Sequence, residues 1–331
     1  MKETLKKLVE AYGPPGNEIN VRNIIISEIE DYIDDLKIDV LGNIIALKKG
    51  NPNGKKMMFA AHMDEIGLMV THIDKDGFLR FAVMGGVKVH NLVGERVQFA
   101  NGILGVIGVE SLKSWKDIDV YKLFIDIGVK SREEAQKKVS VGNSCGVNRD
   151  FLALEDRIVA KSLDDRIGCL IQIQMLKQMK SIVPSHDVYF VFTVQEEVGL
   201  RGAKTAAYGV YPDIAIAIDV TIAGDTPEPP KVDLYLGKGP AIKIKDVSMI
   251  TNQVVKDFMI DTSEKYKIPY QLEVLPYGGT DAGAIHLTKD GVPSGCISIP
   301  CRYVHSPSEM VDLHDVHYAI QLGLKLIESY K

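Results

Sequence analysis

The chain has 331 residues, 46% of them hydrophobic and 25% charged, an ordinary globular composition that excludes a disordered or fibrous protein. A single core stops growing at roughly 250–300 residues, so the length points to two domains. A balance of 39 Lys and Arg against 44 Asp and Glu argues against a nucleic-acid partner, and no apolar run reaches the ~18 residues of a membrane span.

The N-terminus reads as a helix rather than a signal peptide, with Leu5, Leu8, Val9 and Tyr12 on one face and Gly13-Pro14-Pro15-Gly16 ending it. Ile19 to Ile33 repeats the helical pattern. Lys37–Val40 and Asn43–Lys48 predict a hairpin, and Met57–Ala61 a buried strand. From Gly67 to Ala160 the texture changes: eleven of the 29 glycines fall here, and β-rich runs alternate with turns at Leu68–Ile73, Phe78–Val83, Arg96–Ala100, Ile103–Val109 and Leu123–Ile127. Only Arg132–Lys138 reads as helix, so the stretch predicts a compact all-β insert.

After Ala160 helices and apolar strands alternate again. Leu163–Met179, Lys204–Tyr208, Ile250–Tyr266 and Val316–Tyr330 read as helices; Val188–Val194, Ile214–Ile218 and Gly295–Ile299 read as buried strands. The pattern predicts an α/β fold with a mainly parallel sheet sandwiched by helices. The Pro-rich stretch Thr226–Pro230 reads as a surface loop. Four scattered cysteines in so long a chain suggest a reducing, cytoplasmic setting.

Polar residues cluster where the buried strands end. Met57–Ala61 runs into His62-Met63-Asp64-Glu65, Val188–Val194 into Gln195-Glu196-Glu197, and Ile214–Ile218 into Asp219; Gly295–Ile299 is followed by Arg302-Tyr303-Val304-His305. A parallel sheet places its site at that edge. Ser162-Leu163-Asp164-Asp165-Arg166 adds two carboxylates before a helix. Imidazole with carboxylate suits a pair of zinc-like divalent ions better than calcium. His62 with Asp219 can serve one ion and Glu197 with His305 the other, one Asp of the Asp164-Asp165 pair bridging them. Asp64 is placed to hydrogen-bond the far nitrogen of His62. Glu196 is left over as a carboxylate that can take a proton from water.

Six motifs in this order resemble the tetrahedral (TET-like) aminopeptidase family: HMDEIG at 62–67, SLDDR at 162–166, QEEVGLRGA at 195–203, AIDVT at 217–221, GGTDAGA at 278–284 and PCRYVHSPSE at 300–309. Ser162 stands where small apolar Ala is common in that family. The resemblance implies a dinuclear metallo-aminopeptidase using zinc or cobalt, with manganese as a further option. It implies His62, Asp164, Glu197, Asp219 and His305 as ligands, Asp164 bridging, with Glu196 as general base and Asp64 as orienting carboxylate. It also implies a β-rich dimerisation domain after the first histidine motif, peptide substrates, and self-association to dimers and a tetrahedral dodecamer. The domains expected are therefore a discontinuous catalytic unit, 1–66 plus 161–331, and an insert, 67–160. Thr280 and Asp281 are expected near substrate; Arg302 either holds substrate or pairs with Asp281 or Glu309. Walls of the specificity pocket are expected at Thr221–Pro230 and Tyr277–Asp281.

Other features carry less. Asp164-Asp165 also suit an N-cap. His72, His90, His186, His286, His314 and His317 are assigned no chemistry. Gly142-Asn143-Ser144-Cys145-Gly146 matches a nucleophile-elbow pattern without the helix that should follow. Cys296 and Cys301 read as buried structural thiols. A two-carboxylate glycoside hydrolase is an alternative, but it leaves both histidines idle, and a chain with one Trp is poorly furnished for a sugar cleft. A dinuclear deacylase or carboxypeptidase is the closer alternative.

Overall fold

The computed structural model describes residues 1–51, 54–228 and 231–330. Helices α1 (Lys2–Glu10) and α2 (Ile19–Ile29) lead into strands β1 (Asp35–Ile38), β2 (Ile44–Lys48) and β3 (Lys56–His62). Then follow β4 (Gly67–Ile73), β5 (Leu79–Met84), β6 (Arg96–Phe99), β7 (Leu104–Val109), β8 (Leu123–Asp126), the short α3 (Arg132–Gln136) and β9 (Ser144–Val147). The remainder is β10 (Leu152–Leu154), β11 (Arg157–Ala160), α4 (Leu163–Gln178), β12 (Asp187–Thr193), α5 (Arg201–Val210), β13 (Ile214–Ile222), β14 (Ala241–Lys245), α6 (Gln253–Tyr266), β15 (Gln271–Val274), α7 (Ala282–Ile285), β16 (Ser294–Arg302), β17 (Glu309–Asp312) and α8 (Leu313–Ser329).

The large sheet is mixed, ordered β1-β2-β12-β3-β13-β16-β17-β11-β10, with β14 and β15 attached beside β16. Its four central strands, β12, β3, β13 and β16, are parallel, whereas both flanks pair antiparallel. The parallel character expected from the apolar runs thus holds for the four central strands, which are nearly continuously buried. Within β3, Met57, Phe59 and Ala61 face a core shared with α1, α2, α4, α6 and α8, while Met58 and Ala60 face a smaller core with α5 and α7. Period-2 alternation is what lets one apolar run serve both layers.

Phe190 of β12 is fully buried and stacks on Phe59 with ring centroids 5.7 Å apart. Phe190→Ala should cost about 3–5 kcal/mol, read as a lower Tm in thermal unfolding. An unchanged Tm would mean that this core repacks freely.

Strands β4-β5-β8-β7-β6-β9 close into a barrel with its own core, including Leu68, Val70, Leu79, Phe81, Val97, Phe99 and Ile125. The expected insert ran to Ala160, but the barrel strands end at Val147. Strands β10 and β11 pair with β17 in the large sheet, because their partner lies near the C-terminus and local pattern does not reveal it. Ser144, the serine of the elbow-like pattern, lies within a strand and is buried against the Tyr12 hydroxyl at 2.7 Å, so it is no nucleophile. The Pro-rich loop expected at Thr226–Pro230 includes Pro229 and Pro230, which lie outside the described residues.

Candidate active site

Sheet register brings the first ligand candidates together. Ala60 of β3 faces Ala217 of β13, so His62 and Asp219, each two residues further on, reach the same level of the sheet. His62 also faces Thr193 at the end of β12, and Glu196-Glu197 follow that strand directly. Asp164 enters from the start of α4, and His305 from the connection between β16 and β17. All six line one cleft of about 520 Å³, together with Lys88, Leu200, Val220, Thr221, Ile222, Lys243, Leu275 and Tyr277.

Asp164 sits at the centre. Its Oδ1 lies 3.1 Å from His62 Nε2, and its Oδ2 lies 3.2 Å from His305 Nε2. His305 Nε2 is in turn 3.3 Å from Glu197 Oε1. Two groups of donor atoms result, each within 4.8 Å, and they share Asp164: His62, Asp164 and Asp219 in one, Asp164, Glu197 and His305 in the other. Asp165 takes the other role foreseen for the pair. Its carboxylate accepts the Gly168 amide at 3.0 Å, capping the regular part of α4, and the His62 amide at 3.2 Å.

Asp64 meets the far nitrogen of His62, as the sequence suggested, but chiefly through its backbone. The Nδ1–H of His62 donates to the Asp64 backbone carbonyl at 3.0 Å, while the carboxylate stands 3.5 Å away. That carboxylate instead accepts the amides of Glu196 and Glu197 at 2.9 and 3.1 Å. Asp64 therefore fixes the tautomer of His62 through its backbone and the turn carrying both glutamates through its side chain.

Electrostatics show how crowded the anions are. Burial, Asp219 and Glu197 push the Glu196 carboxyl well above its usual range, outweighing the pull of His62. Burial and Asp164 do the same to Asp219. Burial would discharge His305, but Asp164 and Glu197 push it up to about 12. His62 is likewise held well above its normal value, against its burial, by Asp164, Asp64 and Glu196. The buried Oε1 of Glu197 makes no hydrogen bond, and its one close polar neighbour is His305 Nε2 at 3.3 Å. A cluster of this donor type, with so many buried carboxylate oxygens short of donors, fits divalent cations.

Several expected substrate residues lie elsewhere. Arg302 pairs with Asp225, its Nε and NH2 donating at 2.7 and 2.8 Å, rather than with Asp281, Glu309 or the cleft. The reason is that β13 and β16 run parallel with Ile222 facing Cys301, so the residues just past β13, Asp225 among them, lie beside Arg302 at the end of β16, a pairing no local pattern announces. Thr280 and Asp281 are buried behind the cleft; Asp281 accepts the Thr193 hydroxyl at 2.5 Å, and burial pushes its carboxyl up to about 6. Of the expected pocket walls, Thr221, Ile222, Tyr277, Gly278 and Gly279 line the cleft.

Two contributors escaped the sequence reading. Glu309 accepts the Asp164 amide at 3.0 Å and the His305 amide at 2.7 Å, clamping two ligand candidates together. Lys243, buried in β14, is ion-paired to Glu273 beneath the cleft. A charged residue inside the apolar alternation of AIKIK was the available signal.

A doubly wound sheet whose strand ends gather two histidines and several carboxylates around one shared aspartate defines a hydrolase of the metallopeptidase kind. The model of the family described as M42 glutamyl aminopeptidase matches residues 42–322. Lysyl aminopeptidase of Pyrococcus furiosus is 38% identical over 99% of this chain and 97% of its own. Among solved structures, aminopeptidase APDkam598 of Desulfurococcus kamchatkensis superposes with a TM-score of 0.95 at 44% identity, over 99% of this chain and 94% of that one. The TET1 peptidase of Pyrococcus horikoshii, described as able to assemble into a tetrahedron or a large octahedral shell, gives 0.90 at 36% identity over 99% of both chains. The chain belongs to the M42 glutamyl aminopeptidase family and is a peptide hydrolase of the aminopeptidase class.

Proposed function

We propose that the chain is a dinuclear metal-dependent aminopeptidase that removes N-terminal residues from peptides, with His62, Asp164 and Asp219 holding one ion and Asp164, Glu197 and His305 the other. The sharing of Asp164 between two donor groups carries this reading. Mixed imidazole and carboxylate donors suit zinc or cobalt, with manganese as a further option. Bound there, the ions supply Lewis acidity toward the scissile carbonyl and the attacking water. Glu196 Oε2 stands 3.9 Å from His62 Nε2, beside the donors without belonging to either group. It takes the proton from water as the new C–O bond forms and passes it to the amine as the C–N bond breaks.

Asp164→Ala should remove both ions, since it contributes to both groups. Metal analysis of the purified variant after dialysis should find none, against two per chain in the parent; one retained ion would refute the bridging role. An aminoacyl p-nitroanilide should be cleaved and its N-acetylated form should not. Cleavage of the acetylated form instead would favour the deacylase alternative.

We further infer that the barrel, from Gly67 to about Val147, is the oligomerisation domain, leaving 1–66 and the chain after it as the catalytic unit. The tetrahedron described for the Pyrococcus horikoshii TET1 peptidase and the dodecamer described for the solved structure of PhTET1-12s support a tetrahedral dodecamer here, and light scattering should then find a particle about twelve times the 36.5 kDa chain. Four cysteines that stand as free, buried thiols support a reducing cytoplasm. No helix among the described residues is long and apolar enough to cross a membrane.

A further inference from the structure

The ligand candidates are not equally secured. His62 ends a central strand, Asp219 lies within one, and both are almost fully buried. His305 instead sits on the connection between β16 and β17, with Tyr303 and His305 itself at φ of +60° and +61°, and its side chain is 27% exposed. A loop histidine needs outside support if its ring is to keep one orientation.

Part of that support comes from the barrel. After β5 the chain runs through Gly85 and Gly86, and both backbones press on the site. A Cβ placed on Gly86 would lie 2.3 Å from Nδ1 and 2.6 Å from Cε1 of the His305 ring. One on Gly85 would lie 2.7 Å from Oε2 of Glu197. Gly85 has a φ of +85° that itself calls for glycine, but Gly86 lies outside the left-handed region. At Gly86, then, the backbone conformation does not demand a bare α-carbon; close approach to the imidazole does. Two residues on, Lys88 Nζ donates to the Val304 carbonyl at 3.0 Å, tying the barrel to the residue before His305. Glu197 and His305 belong only to the metal position that lacks His62 and Asp219.

We propose that Gly86 and Lys88 are positioning residues supplied by the barrel, which set the His305 imidazole and thereby govern the affinity of the Glu197–His305 metal position while leaving the His62–Asp219 position alone. This rests on the dinuclear reading above. The barrel is thus a structural part of one metal position, although it contributes no ligand.

Calorimetric titration of metal-stripped full-length protein with Zn²⁺ tests it. The parent should show two sites. Gly86→Ala should keep one site at parental affinity and weaken the other at least tenfold, so that dialysed protein retains one ion per chain. Lys88→Met, which introduces no steric clash, should weaken the same site by about two- to tenfold. Gly209→Ala, on α5 with open space around its α-carbon, should leave both sites unchanged. Two parental-affinity sites in both Gly86→Ala and Lys88→Met would overturn the proposal, as would equal weakening of both sites. Fewer than two sites in the parent would instead overturn the dinuclear reading itself.

Discussion

Glu196→Gln should lower kcat on an aminoacyl p-nitroanilide by about 10²–10⁴-fold, the contribution of a well-placed general base, while metal analysis still finds two ions per chain. Glu196 lines the cleft, lies 3.9 Å from His62 Nε2, and stands outside both donor groups. The amide is nearly isosteric, accepts no proton, and leaves the backbone N–H that anchors the turn to Asp64 untouched. Retained metal with lost turnover separates a proton-transfer role from a ligand role. A fully active variant would remove Glu196 from the mechanism; loss of an ion together with activity would make it a ligand.

The second large effect should be on stability. Arg166→Leu is expected to destabilise the fold by about 3–5 kcal/mol, the usual result of breaking a buried charge network from one side. Arg166 is entirely buried. Its guanidinium donates to the carbonyls of Met63 at 2.5 Å and Leu8 at 2.6 Å, with longer bonds to Ala11 and Gly13. It lies 3.6 Å from Glu65, which also pairs with Lys161 at 2.6 Å and is held ionised, against its burial, by both cations. The residue therefore ties the end of α1 to the segment joining the sheet to the barrel. Leucine would fill part of the volume but leave several buried carbonyls without donors. A Tm lowered by several degrees would agree; an unchanged Tm would show that water or repacking replaces the guanidinium. Lysine should not rescue it, because a single ammonium cannot span carbonyls on opposite sides.

Much of the catalytic constellation was legible because ligands sit where apolar runs stop. The run at 57–61 ends at His62, and the run at 188–194 ends at Glu196 and Glu197; burial of a strand is a local property that composition records. The division of labour between Asp164 and Asp165 was legible only as a possibility, and the fold assigned capping to Asp165. Short strands were largely illegible. β10, β11 and β17 have three or four residues each, too few for periodicity, and exist because they pair with one another across the chain.

What the sequence determined by itself was the four central buried strands and the longer helices, the β-rich character of the insert, and the residue types able to hold metal. Each follows from hydrophobic period or from chemistry carried by single residues. What only the tertiary structure decided was which polar groups meet. Asp64 turned its carboxylate to the amides of Glu196 and Glu197, 132 and 133 residues away; Glu309 clamped Asp164 from 145 residues away; Arg302 found Asp225. Gly86 came to lie against His305 across the boundary between barrel and sheet. Hydrogen bonds and close approaches of this kind depend on strand register and on the angle at which the barrel leaves β3, and no window of neighbouring residues encodes either one.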